Sequence, residues 1–327
     1  MGLLLLGFLT LSFLFKILFS LTQELNMPWE LKYCWARKTR IGDANRVNIV
    51  FDNEALLVFS VDKKEKKALV LLIPEDFYFK KETEVYRLGS FFELGEMRDG
   101  CGGRFLKKTL ENFLAVPIDR YVKTEIRNSE FEIRNIGEAR EIVSKIQSWR
   151  WFFSFLANFR EVKKSFETDL SLLEIFKLWW RIRNLRSDRI SLRNLREGMV
   201  TLDYQLLDGT KVKTVDIDLL YGEVSELFRD SQIEGEKLKV EVLNTTKKQG
   251  LGQKAGLLVT HLGADLAHVG NWPETFRKTQ IWLVKKKDRD SYTVKRLAEV
   301  FRAEVFVKPE IEEVRGDVVI LLGEDFK

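Results

Sequence analysis

The sequence is poor in the two residue types that most often build metal centres. Its 327 residues include two cysteines, Cys34 and Cys101, and two histidines, His261 and His268. Neither cysteine belongs to a CxxC pair, and no Cys or carboxylate pattern surrounds either histidine, so these residues indicate no metal site. A single pair of cysteines also cannot form a disulfide framework. A bridge between Cys34 and Cys101 and two separate thiols are both consistent with the sequence.

The sequence also lacks a cluster of one charge sign. Lysine and arginine number 54 against 49 aspartates and glutamates, which leaves a formal net charge of +5. A nucleic-acid-binding surface needs clustered Lys and Arg, so no nucleic-acid partner is expected. The small basic excess favours, weakly, an anionic partner such as lipid head groups or phosphorylated polymers. With 45% hydrophobic and 31% charged residues the chain is expected to fold, and its length predicts two domains.

One long apolar run is present, at the N-terminus. Fourteen of the twenty residues from Gly2 to Leu21 are Leu, Ile or Phe, and Lys16 is the one charge among them. Twenty helical residues rise about 30 Å, the thickness of a bilayer's hydrocarbon core, so residues 1–22 are predicted to be a transmembrane helix. One alternative is a cleaved signal peptide, although a basic start and a small-residue cleavage site are missing. The other is a buried core helix, which would show a polar stripe.

The charges that flank this run bear on its orientation. Four basic residues follow it, Lys32, Arg37, Lys38 and Arg40, and none precedes it. The positive-inside rule alone would therefore hold the bulk of the chain in the cytoplasm, although long domains translocate against that bias. Residues 23–45 are predicted to be a juxtamembrane stalk.

Residues 46–230 are predicted to form one α/β domain. Apolar alternation indicates a first strand over 46–61 and a second that ends at Pro74, joined by the turn DKKEKK. Residues 88–103 are predicted to be loop, and 104–114 to be a helix. A strand in 115–126 and an aromatic-rich helix at 137–163 are predicted next. They are followed by a helix at 168–185, with Thr168 or Asp169 as its cap, and by strands over 186–216 around the turn LLDGTK.

The last part of the chain has a pattern of its own. A polar segment, RDSQIEGEK at 229–237, is predicted to mark a domain boundary. After it, the apolar periodicity predicts the order β-α-β-β-α-β-β over residues 238–327. The expected fold class is therefore α/β: an N-terminal transmembrane helix, a mixed-sheet α/β domain and a small α/β C-terminal domain.

The C-terminal domain resembles the LytR C-terminal domain. The matching residues are spread over most of it: Val240, Glu241, Val242, Leu243, Asn244, Gly250, Leu251, Gly252, Gly263, Asn271, Thr279 and the run from Asp317 to Phe326. The opening VEVLN and the closing DVVILLGEDF are fairly specific in combination, whereas either alone would be weak.

The preceding region resembles the catalytic domain of the LytR-CpsA-Psr family. LLVFSVDKKEKKALVLLIPEDFYF (56–79) has the shape of that family's strand–turn–strand ending in IPRDT. AVPIDRYV (115–122) is similar to its GIPIDHYV, and TDLSLLEIFKL (168–178) to its late helix opening in T-D-L. The resemblance implies an enzyme outside the membrane that transfers glycopolymers from a polyprenyl-pyrophosphate carrier to a wall acceptor, often with Mg²⁺. It also implies that the aromatic residues at 149–155 and Trp179-Trp180 wall a lipid tunnel, with core packing as the alternative.

The departures from the family pattern concern its arginines. The arginine of IPRD is Glu75 here, the family's R-S-D aligns with Asp52-Asn53-Glu54, and its R-x-R-Q signature is absent from 137–200. A pyrophosphate needs positive charge, ideally bidentate Arg. Each reversed charge is expected to cost about 1–4 kcal/mol of binding free energy. The sequence therefore predicts that standard glycopolymer transfer is lost.

Several residues of this region are candidates for a remaining site. Asp76 keeps the family's acidic position and is the candidate catalytic residue. With Glu54 it is also the candidate ligand pair for a divalent cation, the alternative being a solvated acid at a strand end. Arg87, in YRLGSFF, and Arg104, after GCGG, are candidate phosphate-binding residues, the alternatives being an ordinary surface arginine and a plain turn.

Three functional hypotheses follow. The first is a membrane-anchored envelope protein that has lost standard transfer and acts in binding or envelope assembly, with an envelope component such as a polyprenyl-linked glycopolymer as its partner. The second is an active glycopolymer phosphotransferase. The third is a membrane regulator that faces the cytoplasm. Convergence of Arg87, Arg98 and Arg104 on Asp76 would favour the enzyme.

Overall fold

The computed structural model describes residues 43–52, 56–81, 84–124, 136–158, 166–197, 200–206, 208–308 and 314–326. Within these ranges no helix is long and apolar enough to span a bilayer. The predicted transmembrane helix at 1–22 lies outside the described residues, and so does most of the predicted stalk. The last two residues of that stalk, Ala44 and Asn45, are buried against the first domain.

A six-stranded mixed sheet organises the first domain. Its spatial order is β7-β6-β1-β2-β3-β8. The strands are β1 (Arg46–Asp52), β2 (Leu56–Asp62), β3 (Lys67–Ile73), β6 (Arg120–Thr124), β7 (Phe166–Thr168) and β8 (Ile190–Asn194). β2 is antiparallel to both β1 and β3, while β6 is parallel to β1 and β8 is parallel to β3. The carboxyl ends of β1, β3, β6 and β8 therefore lie at one edge of the sheet.

The predicted single strand over 46–61 is wrong, because β1 and β2 are two antiparallel strands. The antiparallel register between them runs from Arg46 opposite Asp62 to Asp52 opposite Leu56. Both strands are buried on both faces and read as near-continuous apolar runs. Such a run hides the period-2 alternation that separates one strand from the next.

Helices cover both faces of the sheet. One face packs on three helices: α1 (Phe91–Asp99), α2 (Gly102–Leu114) and α6 (Ile217–Leu227). The other face packs on α3 (Ile136–Gln147) and α5 (Leu172–Arg183). The short helix α4 (Trp149–Ala157) lies beside α5. Two short ribbons complete the domain, β4 (Tyr78–Lys81) with β5 (Glu84–Arg87) and β9 (Thr201–Gln205) with β10 (Lys211–Val215). The strands predicted over 186–216 are present.

The loop predicted over 88–103 is largely helical, which corrects that prediction. A 3₁₀ turn at Leu88–Ser90 leads into α1, and α2 starts at Gly102. The glycines allow close packing: a Cβ on Gly103 would lie 2.2 Å from the Tyr121 ring, and one on Gly95 would lie 2.8 Å from the Gly102 backbone. These glycines, which suggest loop in the sequence, thus mark contacts between elements.

The cap of the late helix also differs from the prediction. Thr168 is the last residue of β7, and Ser171 is the N-cap of α5. Ser171 and Glu174 form a reciprocal capping box, in which each side chain accepts a hydrogen bond from the other residue's backbone N–H.

The C-terminal module has the predicted element order. Its strands are β11 (Lys239–Asn244), β12 (Asp265–Asn271), β13 (Gln280–Leu283), β14 (Glu304–Val307) and β15 (Val318–Leu322). Its helices are α8 (Leu251–His261) and α9 (Tyr292–Phe301). The strands form a sheet in the order β12-β11-β15-β13-β14, and both helices contribute to its main apolar core.

The polar segment at 229–237 is not a free linker. It contains the short helix α7 (Ser231–Glu236), whose N-cap Asp230 is 1% exposed. The Asp230 carboxylate accepts hydrogen bonds from Asn45 Nδ2 (2.7 Å), the Arg46 backbone N–H (3.2 Å) and the Tyr292 hydroxyl (2.7 Å). Both modules meet at this carboxylate, at the edge of the first sheet where β1 begins.

A second buried contact joins the modules at the start of β6. Arg296 of α9 donates to the Asp119 carboxylate at 2.8 Å, and both side chains are 2% exposed. The other Asp119 oxygen accepts the Asn48 backbone N–H at 2.8 Å. His261 Nδ1 lies 3.1 Å from the carbonyl oxygens of Leu114 and Ala115. The C-terminal module is therefore docked at the edge opposite the carboxyl ends of β1 and β6.

Candidate functional site

The edge formed by the carboxyl ends of β1, β3, β6 and β8 is the first place to look for a site. Ligands of α/β sheets bind in the crevice outside the carboxyl ends of the strands. The segments that carry the family resemblance, LLIPED and IDRYV, both run to this edge. The side chains they bring there decide what this edge can bind.

A buried ion pair lies at the centre of the edge. Asp52, the last residue of β1, is 2% exposed, and the Lys123 ammonium lies 3.0 Å from its Oδ2. The same ammonium lies 2.9 Å from Glu93 Oε1. Burial raises the pKa of Asp52 to about 6, against the lowering effect of Lys123. One lysine thus serves two carboxylates.

Glu75 occupies the position where the resemblance expects arginine, and it is partly buried. Burial, followed by the nearby Asp52 charge, raises the pKa of its carboxyl group. Arg87, a candidate phosphate ligand, pairs with Glu75: its Nη2 lies 3.6 Å from Oε2, and its Nε donates to the Glu75 carbonyl oxygen at 3.1 Å. This guanidinium therefore compensates an acid of the chain itself.

Asp76, the candidate catalytic residue, points to a different partner. Arg196 Nη2 lies 2.5 Å from Asp76 Oδ1, and both side chains are about half exposed. A convergence of Arg87, Arg98 and Arg104 on Asp76, which would favour the enzyme, is not observed: the ion pair of Asp76 is with Arg196, and Arg87 pairs with Glu75. Glu54, the other candidate metal ligand, lies outside the described residues.

The candidate anion site at GCGGR is filled from within the chain. Gly102, the first residue of α2, donates its N–H to Glu96 Oε1 at 2.6 Å. A carboxylate thus already occupies the end of the helix that would attract a phosphate. Arg104 lies exposed on the first turn of α2. Cys101, just before it, is disulfide-bonded, and the sequence contains one other cysteine, Cys34.

The two motifs AVPIDRYV and TDL meet behind this edge. Asp169 accepts the Tyr121 N–H at 2.8 Å and pairs with the buried ammonium of Lys107 at 2.5 Å. Burial lowers the pKa of Lys107, against the raising effect of Asp169. Arg120, where the family pattern has histidine, pairs with Glu174 of the capping box. The shared motif positions hold the strands and α5 together.

The interaction between Asp52 and Lys123 is not predicted from the sequence. Asp52 was weighed only as the place of a lost arginine, and Lys123 was not singled out. The two residues meet because a parallel register pairs Asp52 with Lys123 across β1 and β6. That register cannot be read from one sequence, since β6 is distant in the chain.

A second cleft lies in the C-terminal module, outside the carboxyl ends of the parallel strands β11 and β12. Its volume is about 530 Å³. Its polar lining is composed of amides, one hydroxyl and lysines, with no carboxylate: Asn244, Thr246, Lys247, Lys248, Gln249, Gln253 and Asn271. Asn244 shapes the wall, since its Nδ2 donates to the Lys248 carbonyl and its Oδ1 accepts the Thr246 N–H.

Comparison with known proteins gives one family match and several solved structures. Residues 237–326 match the LytR_C family, described as LytR cell envelope-related transcriptional attenuator. No curated protein matches the chain.

Three solved structures illustrate the range of the structural matches. TagU of Bacillus subtilis is 15% identical, with 56% of this chain and 96% of that chain covered and a TM-score of 0.39. TagT bound to LIIa-WTA is 12% identical, with 62% and 93% covered and a TM-score of 0.42. A transcriptional regulator from Enterococcus faecalis is 12% identical, with 70% and 91% covered and a TM-score of 0.45.

The residues of the family pattern have structural roles in the C-terminal module. Thr279 Oγ1 donates to Asp325 at 2.7 Å and accepts the Gly323 N–H at 3.1 Å, which fixes the end of β15 beside the segment before β13. Residues 237–326 thus match the LytR C-terminal family, and in this chain they follow an α/β domain whose sequence motifs resemble those of the LytR-CpsA-Psr catalytic domain.

Proposed function

We propose that this chain is a membrane-anchored cell-envelope protein, a diverged LytR-CpsA-Psr relative that has lost standard glycopolymer transfer and acts in binding or envelope assembly. One observation carries the proposal. At the carboxyl edge of the first sheet, Asp52, Glu75 and Glu93 face Lys123 and Arg87, so each cation there already has a carboxylate partner. A pyrophosphate would have to displace these acids, at the cost of separating their ion pairs.

The same edge does not fit the Mg²⁺ that the resemblance implies. A magnesium site needs carboxylates that are free to ligate the ion. Asp52, Glu75 and Asp76 are paired with Lys123, Arg87 and Arg196 respectively. The described part of the chain also contains no group of three or more His, Cys, Asp or Glu residues that could hold a metal ion.

The active transferase remains the alternative. Asp52 favours it, because a buried carboxyl group with a pKa of about 6 at a strand end is suited to proton transfer. The two functions differ in one assay. Full-length protein given a polyprenyl-pyrophosphate glycan and a wall acceptor is expected to transfer nothing above background, with an active family member as the positive control. Transfer that Asp76→Ala abolishes would contradict the proposal.

The disulfide at Cys101 supports a location outside the cytoplasm, because disulfides persist in oxidising compartments. Protease added to intact cells is therefore expected to remove the C-terminal module from the cell-bound protein. The module should stay intact if it faces the cytoplasm, and lysed cells control for its intrinsic susceptibility.

The polar cleft of the C-terminal module is the surface best suited to binding an anionic envelope polymer. It offers two exposed lysines, Lys247 and Lys248, amid neutral hydrogen-bonding groups and no acid. Lysine–phosphate attraction and amide–hydroxyl hydrogen bonds are what a phosphate-linked glycopolymer requires.

We expect the full chain to bind soluble poly(glycerol phosphate), and Lys247→Glu/Lys248→Glu to weaken that binding at least tenfold in calorimetry at low salt. The matched control is Lys286→Glu/Lys287→Glu, an equal charge change on exposed lysines of the same module. Equal loss in both variants would show that net charge, and not the cleft, attracts the polymer.

A further inference from the structure

An exposed aromatic surface lies on the outer side of α4 and α5. Of the eleven large hydrophobic side chains exposed in the described chain, six lie on these two helices. We call them the aromatic face: Trp149, Phe153, Leu156, Leu173, Phe176 and Trp180, with exposed fractions from 36% to 60%. Soluble monomers rarely expose a contiguous apolar surface of this kind unless something binds to it.

The rings of this face form a connected and firmly supported layer. Trp149 stacks on Phe153 with 5.7 Å between ring centroids and lies 6.5 Å from Trp180. Behind them, the buried Trp179 stacks on Phe152 at 4.2 Å and donates its Nε1–H to the Ile146 carbonyl at 2.8 Å. The exposed rings are therefore held in place by the core, and their exposure is part of the fold.

The charges around the aromatic face are mainly positive. The two helices carry Arg150, Lys177 and Arg183 at exposed or partly exposed positions against a single acid, Glu174, which Arg120 already neutralises. Their fourth basic residue, Arg181, is buried. The Arg183 guanidinium lies 4.7 Å from the centroid of the Trp149 ring. Arg150 and Lys177 are exposed beside the rings. An occupant of this surface should thus combine apolar chains with negative charge.

We propose that the aromatic face docks on the surface of a lipid bilayer that contains anionic phospholipids. Trp and Phe side chains flanked by Arg and Lys are the residues that proteins place at the boundary between head groups and acyl chains. The inference rests on the proposed membrane anchoring. The predicted helix ends at residue 22 and the described domain begins at residue 43, so the tether reaches at most about 75 Å. At that range even weak interfacial binding is favoured by the high effective concentration.

The test uses the full chain in vesicles of phosphatidylcholine and phosphatidylglycerol whose acyl chains are brominated near the head group. Bromine quenches the fluorescence of tryptophans at that depth. We expect a quenched component that Trp149→Phe/Trp180→Phe removes, because those two rings report on the face. Phe153→Glu/Phe176→Glu should lose the same component, whereas Phe306→Glu, on an exposed aromatic of the C-terminal module, should keep it.

Flotation of the vesicles separates this inference from the proposed anchoring. Protein that floats with the vesicles but shows no quenched component from Trp149 and Trp180 would overturn the docked face and leave the anchoring intact. The same result would follow if another segment of the chain covered the face. Quenching that appears only after polyprenyl phosphate is added would also overturn it, in favour of a carrier-lipid site. Protein that fails to float would overturn both.

Discussion

Arg296→Leu is expected to lower the free energy of unfolding by about 3–5 kcal/mol, because it leaves the Asp119 carboxylate buried without its partner. The Arg296–Asp119 pair is 2.8 Å long, 2% exposed on both sides, and joins the C-terminal module to the start of β6. The guanidinium also reaches Glu299 at 3.4 Å. Urea unfolding of the full chain, followed by tryptophan fluorescence, measures the change.

The matched control is Lys285→Leu, which removes an ion pair of the same 2.8 Å length with Asp317. The Lys285 side chain is 54% exposed, so its removal is expected to change the free energy of unfolding far less than Arg296→Leu does. Equal losses in the two variants would mean that the contact between the modules contributes nothing special. A loss confined to Arg296 would mean that the first domain depends on the C-terminal domain for its stability.

Asp52→Asn is expected to stabilise the protein at pH 8. The pKa of Asp52 is about 6 in the folded protein against 3.8 for an unperturbed aspartate, so folding favours the protonated form. The contribution of this group to stability is therefore complete below about pH 4 and is lost as pH rises through 6. This pKa difference corresponds to about 3 kcal/mol of unfolding free energy at pH 8, and the attraction of Lys123 for the ionised carboxylate is already included in it. We therefore expect a gain of about 3 kcal/mol at pH 8 that disappears near pH 4.

Equilibrium unfolding at the two pH values checks this, with Asp203→Asn as the control. Asp203 is an exposed acid paired with Lys213, and that pair lowers its pKa, so its variant should show no gain at pH 8. A loss of stability in Asp52→Asn at pH 8 would mean that the Lys123 pair outweighs the cost of burying the charge. The Asp52–Lys123 ion pair would then stabilise the fold, and the buried charge of Asp52 would not destabilise it.

The C-terminal module was predicted better than the first domain, and the reason lies in its strands and loops. Its helices have clear apolar periodicity, and its strands are separated by polar segments. The hydrophobic repeat of each helix or strand can therefore be recognised separately in the sequence. In the first domain β1 and β2 are buried on both faces and lie within one apolar run. The glycines around the start of α2 suggest a loop, although Gly103, inside the helix, is what allows it to pack closely on Tyr121.

The candidate residues show the same division. The sequence indicated that Glu75 replaces an arginine, and the structure places that acid at the carboxyl edge beside Asp52 and Arg87. The sequence could not indicate that Asp76 pairs with Arg196, which lies 120 residues away in the chain. For the aromatic residues at 149–155 and 179–180, the sequence leaves open the wall of a lipid tunnel, which the resemblance implies, and packing in the hydrophobic core. The structure buries Phe152 and Trp179 but leaves Trp149, Phe153 and Trp180 exposed.

The amino-acid sequence was sufficient to predict the α/β class, the order of elements in the C-terminal module and the absence of arginine from the phosphate motifs of the family it resembles. These follow from local periodicity and residue identity, which a single chain displays directly. Tertiary structure alone decided which acid meets which base, how the two modules dock through Asp119 and Asp230, and which aromatic rings remain exposed. Those outcomes depend on strand register and helix packing between distant segments, where a few ångströms separate an ion pair from a free charge.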